Sequence, residues 1–374
     1  MKQKSSEKLV AKILPLSEES LTSCANALIS NSLVAFPTET VFGLGANALS
    51  ESATEKIFAA KGRPKSDPLI VHISFMRQAE SLTKMSGFQR QCFDILGSNF
   101  WPGPLTLIVK ASDIVPKIIT AGGDSIALRI PSHHVAQELL KRANIPVAAP
   151  SANRFGHVSP TTAQHVFDDL GNVEDLSILD HSEACTIGIE STVIKISEEN
   201  NISLLRPGAI SSLQIKNALN EAHINFTFHV IKREIKLTDL QKANKNEMSL
   251  DAPGQLLTHY APSIEAFIMG QPKVNNETVQ NFEKSLLKSA VIIDFSQKNK
   301  NLSSHCLKYL DLSSQGNCDE ASHNLFSCLR MAENIEGAKY ILLPDLNFEN
   351  NEKILAVFDR IFRAASGKYI QIVN

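Results

Sequence analysis

Three cations crowd the stretch AAKGRPKSDPLIVHI: Lys61, Arg63 and Lys65. Charges this close repel one another. The run is therefore either a solvated loop in which salt screens the repulsion, or an anion site in which a guanidinium fork and ammonium groups meet phosphate oxygens. His72 follows on an apolar run with Ile70, Val71 and Ile73, a setting in which a histidine is commonly a satisfied core residue. More polar side chains stand at the ends of apolar runs: Thr38, Glu39 and Thr40 in FPTETVFGLGANA, Ser125 and Arg129 in GGDSIALRIP, Ser151, Asn153 and Ser159 in AAPSANRFGHVSP, Ser191 and Thr192 in GIESTVIKI, and Arg206 in LLRPG. Each alone reads as a turn or cap residue. Together they place hydroxyls and arginines where α/β folds place ligands. No G-x-x-x-x-G-K-[ST] occurs, so bound phosphates would be met by side chains rather than by a P-loop. Gly43-x-Gly45-x-x-Ala48 matches a dinucleotide fingerprint only loosely, because the next helix starts several residues later; the glycines read instead as turn positions that need positive φ.

The elements that must position these groups alternate. LVAFP, LIVHI, LTLIV, IALRI, VAAPS, LSILD, STVIKI and ISLLRPG read as strands between helical patterns over residues 9–212, an α/β layout. Pro37 ends the first of these strands, and Ser52 with Glu55 reads as a capping box opening a helix with Ile57, Phe58 and Ala60. From about 230 to 258 the chain is polar, charged and weakly periodic, as a linker would be. Beyond it IEAFIMG, AVIIDF, LKYLDL and KYILLPDL read as strands of a small parallel, Rossmann-like domain that lacks a glycine-rich phosphate loop. Its last helix carries an apolar stripe of Ile354, Leu355, Val357, Phe358, Ile361 and Phe362.

With 374 residues, 43% hydrophobic and 20% charged, two globular domains are expected. No apolar run approaches the ~18 residues of a membrane span, and MKQKSSEKLVAKILPLSEES lacks the apolar centre of a secretory signal, so no membrane association and a cytoplasmic location are expected. The six cysteines, Cys24, Cys92, Cys185, Cys306, Cys318 and Cys328, are scattered without a C-x-x-C pair, pointing to buried thiols rather than a zinc site or disulfide framework. A net charge of -2 offers nucleic acid no global attraction, leaving only a local basic patch for any RNA contact.

Taken in order, FPTETVFGLGANA, KGRPKSDPLIVHI, WPGPLTLIV, ALRIP, APSAN, GIEST and LLRPG resemble the YrdC/Sua5 family, the L-threonylcarbamoyladenylate synthases, and APGQLLTHYAP resembles the linker of its long, Sua5-type forms. The resemblance implies a YrdC-like twisted mixed sheet with helices around a concave cleft over residues 1–215, a linker over 216–262 that folds across the active site, and a smaller Rossmann-like α/β Sua5 domain over 263–374. It implies synthesis of threonylcarbamoyl-AMP and pyrophosphate from L-threonine, bicarbonate and ATP, with Mg2+ carried by ATP and no protein ligand for it. The product would supply the tRNA threonylcarbamoyl-transfer machinery, with at most weak RNA contact by this chain. By motif position, Lys61 and Arg63 would act on the phosphates. Lys65, Ser125, Ala149, Ser151, Asn153, Ser159, Arg206 and Tyr260 would contact ATP. Thr38, His72, Arg129, Ala149 and Ser191 would hold threonine, with Arg129 on its carboxylate, and Glu39 and Glu190 would stand behind as supporting carboxylates. Two departures stand out: Phe42 where a tyrosine is common, and Gln255, Leu256, Leu257 and Thr258 in the middle of the linker motif. The alternatives are an RNA-binding module with a basic concave surface, and carbamoyl transfer from carbamoyl phosphate.

Overall fold

The computed structural model describes residues 10–85, 87–181, 184–231, 252, 256–272, 279–347 and 351–373. Its first sheet is built from β1 (Lys12–Pro15), β2 (Val34–Phe36), β3 (Gly43–Asn47), β4 (Ile70–His72), β5 (Leu105–Lys110), β6 (Ser125–Arg129), β7 (Val147–Ala148), β8 (Ser177–Asp180), β9 (Thr192–Ile196), β10 (Asn201–Arg206) and β11 (Thr227–Val230). The order is β1-β8-β2-β3-β7-β4-β6-β5-β9-β10-β11, with parallel and antiparallel neighbours mixed. Alternate residues of a strand face opposite sides. Thus Val34 and Phe36 pack with Leu28 and Leu139, whereas Ala35 joins Ile57, Phe93 and Leu219. The helices α1 (Glu18–Ile29) and α5 (His134–Ala143) cover the first side; α2 (Glu51–Lys61), α4 (Gly87–Phe100) and α7 (Ser212–Glu221) cover the other, with α3 (Ala79–Leu82) and α6 (Ala163–Leu170) at its margins.

Three local expectations are corrected. Gly43 and Gly45 lie in the extended strand β3, and neither has positive φ. They are needed for close approach instead: a Cβ on Gly45 would sit 2.8 Å from Phe36 Cε1, and one on Gly43 would sit 3.2 Å from the Ala149 Cβ. The cap of α2 is Ser50, whose side chain accepts from the Ala53 N–H, rather than Ser52. The linker boundary expected at 215/216 falls inside α7, and β11 pairs with β10 in parallel, so residues through 230 belong to the first sheet. The polar face of that helix and the short β11 gave no strong apolar period to mark them.

The second sheet comprises β12 (Glu265–Met269), β13 (Val279–Glu283), β14 (Ala290–Asp294), β15 (Lys308–Asp311), β16 (Tyr340–Pro344) and β17 (Tyr369–Val373), in the order β13-β17-β12-β16-β14-β15, with every pair parallel. Reading the sequence missed β13, whose VQNFE is a mostly exposed strand at one edge, and β17 beside it. The helices α8 (Cys318–Glu333) and α9 (Glu352–Ala364) pack on one face through Leu325, Phe326, Leu329, Ile354, Val357 and Ile361. The same apolar cluster takes in Val41, Val158, Ile189 and Tyr260. The two domains therefore share a core rather than merely touch. No helix among the described residues is long and apolar enough to cross a membrane, and all six cysteines are free thiols, with Cys24, Cys92 and Cys185 buried.

Candidate active site

The C-terminal ends of β4, β6 and β10 and the start of β9 lie at one edge of the sheet, and the segments that follow β2 and β7 add Thr38, Thr40 and Ser151 to the same cleft. His72 and Arg129 are paired across β4 and β6, and Arg206 closes β10 opposite Val193. Between these ends lies a narrow cleft, with Thr38, Thr40, His72 and Arg129 among its lining residues, together with Arg63, Ser151, Ser191, Arg206, His259 and Tyr260.

One end of the cleft is organised by Arg129. Its guanidinium donates from Nη2 to Glu39 Oε1 at 2.6 Å, from Nη1 to Thr40 Oγ1 at 2.9 Å and from Nε to the Gly103 carbonyl at 3.3 Å. The second Glu39 oxygen accepts the Ser132 N–H at 3.0 Å. A guanidinium has further donors beyond these three, and no hydrogen bond from them is found among the described residues. Thr38 Oγ1 donates to the Val41 carbonyl at 2.6 Å and accepts the Val41 N–H at 3.2 Å, so it secures the turn that presents Thr40. Beside them His72 is buried, and its Nδ1 has no hydrogen-bond partner. Burial, reinforced by the Arg129 charge, pushes its pKa down to about 3. It is a neutral ring with a polar atom awaiting a partner.

The other end carries Arg63 and Arg206. Arg63 is anchored by the Pro68 carbonyl at 2.9 Å and lies 2.9 Å from Asp67 Oδ1, although neither Asp67 oxygen gains a well-formed hydrogen bond. Burial holds the Asp67 carboxyl above its usual range. Arg206 reaches the Ser191 carbonyl and hydroxyl, both at 3.1 Å, and Ser191 Oγ also meets Thr106 Oγ1 at 2.7 Å. Lys61 ends α2 and does not line the cleft; its ammonium donates to the carbonyls of Ser151 and Asn153, each at 2.5 Å. Burial, with the Arg63 charge added, pushes its pKa well down.

The segment His259–Pro262 folds back over this cleft. Ala261 donates to the Gly156 carbonyl at 2.8 Å, and the His259 ring meets Phe155 with centroids 6.2 Å apart. Tyr260 is held at φ +60 against Phe326, and its hydroxyl, like His259 Nδ1, is buried without a partner. Gln255 lies outside the described residues. The neighbouring Leu256 carbonyl accepts from Arg363 Nη1 at 2.6 Å, and Thr258 Oγ1 meets Ser366 Oγ at 2.9 Å, so this departure from the family motif is met by contacts from α9 and the turn after it.

The second domain also reaches the first through buried charges. Arg360 meets Glu190 Oε2 at 3.1 Å, and the other Glu190 oxygen accepts the Ser159 hydroxyl at 2.5 Å. Arg330 donates to the Val158 carbonyl and meets Asp169 at 2.8 Å. His157 bridges Asp169 at 2.9 Å and Glu333 at 3.1 Å. Burial disfavours the charge on His157, but the bonds to Asp169 and Glu333 outweigh it and raise its pKa. Burial likewise opposes the Asp169 charge, while His157 and Arg330 hold its pKa down at about 2. The sign follows from linkage. His157 contributes its full stability below its unfolded pKa of about 6.5 and loses it as pH rises through the raised folded value, whereas Asp169 loses its contribution only in strong acid. The difference in Tm between the protein and its His157→Gln variant should therefore be widest near about pH 6 and shrink by about pH 9. A difference that stays constant or grows would rule out a charged bridge.

Not every expected residue reaches the cleft. Lys65 is exposed and paired with Glu55 at 2.7 Å, because it extends along α2 into solvent. Ser125 opens β6, at the opposite end of that strand from Arg129, and its hydroxyl turns to Asp124 at 2.9 Å. Ser159 and Asn153 sit behind the wall, with Asn153 Nδ2 donating to the carbonyls of Arg154 and His157. Ala149 lines the cleft, but its N–H is already given to Ile70 at 2.9 Å, leaving its carbonyl and methyl as contacts. Phe42 is fully buried and is part of the cleft lining. Reasoning from sequence missed the interdomain role of Arg330, Arg360 and Arg363. A signal was available for two of them, since Arg360 and Arg363 interrupt the apolar stripe of α9.

Comparison with known proteins agrees with this geometry. The family described as "Telomere recombination" matches residues 26–208, and that described as "Threonylcarbamoyl-AMP synthase, C-terminal domain" matches residues 210–366. Threonylcarbamoyl-AMP synthase of Pyrococcus abyssi is 37% identical over 346 residues, covering 91% of this chain and 92% of the relative. The Bacillus subtilis enzyme of the same name is 34% identical over 361 residues, 96% of each. The crystal structure of P. abyssi Sua5 complexed with L-threonine matches with a TM-score of 0.77 at 34% identity, over 98% of this chain and 100% of that one. With both halves matched and the relatives covered nearly end to end, the chain belongs to the threonylcarbamoyl-AMP synthase family.

Proposed function

We propose that this protein condenses L-threonine, bicarbonate and ATP to threonylcarbamoyl-AMP and pyrophosphate, the activated donor for N6-threonylcarbamoyladenosine in tRNA next to the anticodon. The observation that carries the reading is one closed cleft with two chemically distinct ends. At the first, the spare donors of Arg129 meet the amino-acid carboxylate, and the neutral His72 offers the amino group a partner without repelling it. At the second, Arg63 and Arg206 face the nucleotide phosphates, with Ser151 and the loop tethered by Lys61 beside the adenylate.

The threonine amine adds to bicarbonate with loss of water, forming a carbamate. A carbamate oxygen then attacks the α-phosphorus in line and pyrophosphate leaves. Such transfer depends on positioning and charge neutralisation rather than on a covalent nucleophile. His259 and Tyr260 cover the cleft and exclude the water that would hydrolyse the carbamate or the mixed anhydride. Glu190, which lines the cleft, is engaged by Ser159 and Arg360, and Glu39, behind Arg129, by Arg129 and Ser132, so both carboxylates already have partners. Magnesium enters with the ATP phosphates.

An RNA-binding role is disfavoured because Lys61, Arg63, Arg129 and Arg206 are only 4–7% exposed, out of reach of a duplex backbone. Pyrophosphate release, measured with threonine, bicarbonate and ATP omitted in turn, should require all three. Release without threonine would overturn the reading. In the same assay Tyr260→Ala should release AMP in excess of threonylcarbamoyl-AMP, and tight coupling in that variant would remove the lid role.

A further inference from the structure

Outside the cleft, three histidines converge where the turn after β6 meets the end of β8. His133 and His134 open α5, and His181 follows Asp180. Their ring centroids lie 4.9 Å apart for His133 and His134, 4.8 Å for His133 and His181, and 4.9 Å for His134 and His181. One nitrogen from each falls within 4.8 Å of the others. We infer that His133, His134 and His181 bind one divalent transition-metal ion of the zinc, cobalt or nickel kind.

The chemistry of the donor set supports this. The three imidazole rings are in mutual contact. Neutral imidazole nitrogens are lone-pair donors that suit zinc, nickel, cobalt and copper and suit magnesium or calcium poorly. His181 Nδ1 is buried without a hydrogen-bond partner, a polar atom that an ion would satisfy. Metal–nitrogen bonds of about 2.0–2.1 Å require the rings to draw inward. His134 is exposed, stacked on the His133 ring. His133 Nδ1 accepts only a long bond from the Val135 N–H at 3.2 Å, which coordination at that ring would exchange. The ion would clamp the end of β8 to the turn whose Ser132 N–H holds Glu39, next to the threonine end of the cleft but separate from it.

The test uses the full chain freed of metal with a chelator, then titrated with Co(II) or Zn(II). The expected result is one ion per chain, visible Co(II) absorption of a nitrogen-ligated centre, and a Tm raised by Zn(II) but not by Mg(II). His134→Ala removes an exposed ligand. His133→Asn removes a ligand while keeping a good helix cap. Each should weaken binding by about tenfold or more, and both should retain the wild-type Tm without metal to within a few degrees. The proposal is overturned if wild-type protein shows no Co(II) bands and no stoichiometric zinc binding, if either variant binds as tightly as wild type, or if excess Mg(II) displaces the bound ion.

Discussion

Arg129→Lys is expected to lower kcat/KM for threonine by about a hundredfold, ~2.7 kcal/mol of transition-state stabilisation, while leaving the KM for ATP nearly unchanged. The substitution keeps a positive partner for Glu39, so the buried carboxylate is not abandoned. An ammonium, however, is a point charge on a flexible stem. It cannot span Glu39, Thr40 and Gly103 while also offering paired donors to a substrate carboxylate. Steady-state kinetics with each substrate varied separately would show the split. A fall in ATP affinity without a threonine effect would move Arg129 to the nucleotide end of the cleft.

The second large effect lies far from the substrates in sequence. Arg360→Met should destabilise the protein by about 3 kcal/mol, because it removes the guanidinium bonded to the buried Glu190 carboxylate, which then keeps the Ser159 hydroxyl and the more distant Arg206 charge. Arg360 is fully buried. Its guanidinium also lies 5.9 Å from the centre of the Tyr260 ring and donates to the Pro207 carbonyl. Losing it should loosen the covering segment and the Glu190–Ser191 turn together, so activity should fall along with stability. Adding Glu190→Gln to Arg360→Met removes the stranded charge and should recover part of the lost stability, a non-additivity that a double-mutant cycle measures. Equal and additive losses would mean that the pair contributes no coupling.

Much of the molecule was legible in its letters because the signals are local. Apolar runs ended by proline or polar residues marked most strands of the first sheet, and the parallel second domain followed from short β-rich runs alternating with helical patterns. Of the strands that escaped, β3 is glycine-rich, β13 is exposed and mostly polar, and β1 and β11 are only four residues long; β17, YIQIV, was overlooked although its residues are largely apolar. The residue types at the strand ends likewise pointed to an anion-binding site, and the family resemblance added an amino acid to it. Arg63, Arg129, Arg206, His72, Ser151 and Ser191 do converge on one cleft.

By itself, then, the sequence determined which elements form and which chemical groups stand at their ends, since propensity, capping and charge are properties of a few neighbouring residues. Only the tertiary structure decided what each group does. Lys61 and Lys65 look alike in sequence, yet one is buried holding two loop carbonyls and the other is exposed beside Glu55. Ser125 and Arg129 share one strand but sit at opposite ends of it. Glu39 became the partner of Arg129, Glu190 that of Arg360, and Tyr260 the cover of a cleft built almost entirely by residues before 210. The physical reason is that a buried charge is tolerable only beside a compensating one. Which charges meet is set by the packing of two sheets and by chain separations that no local pattern encodes.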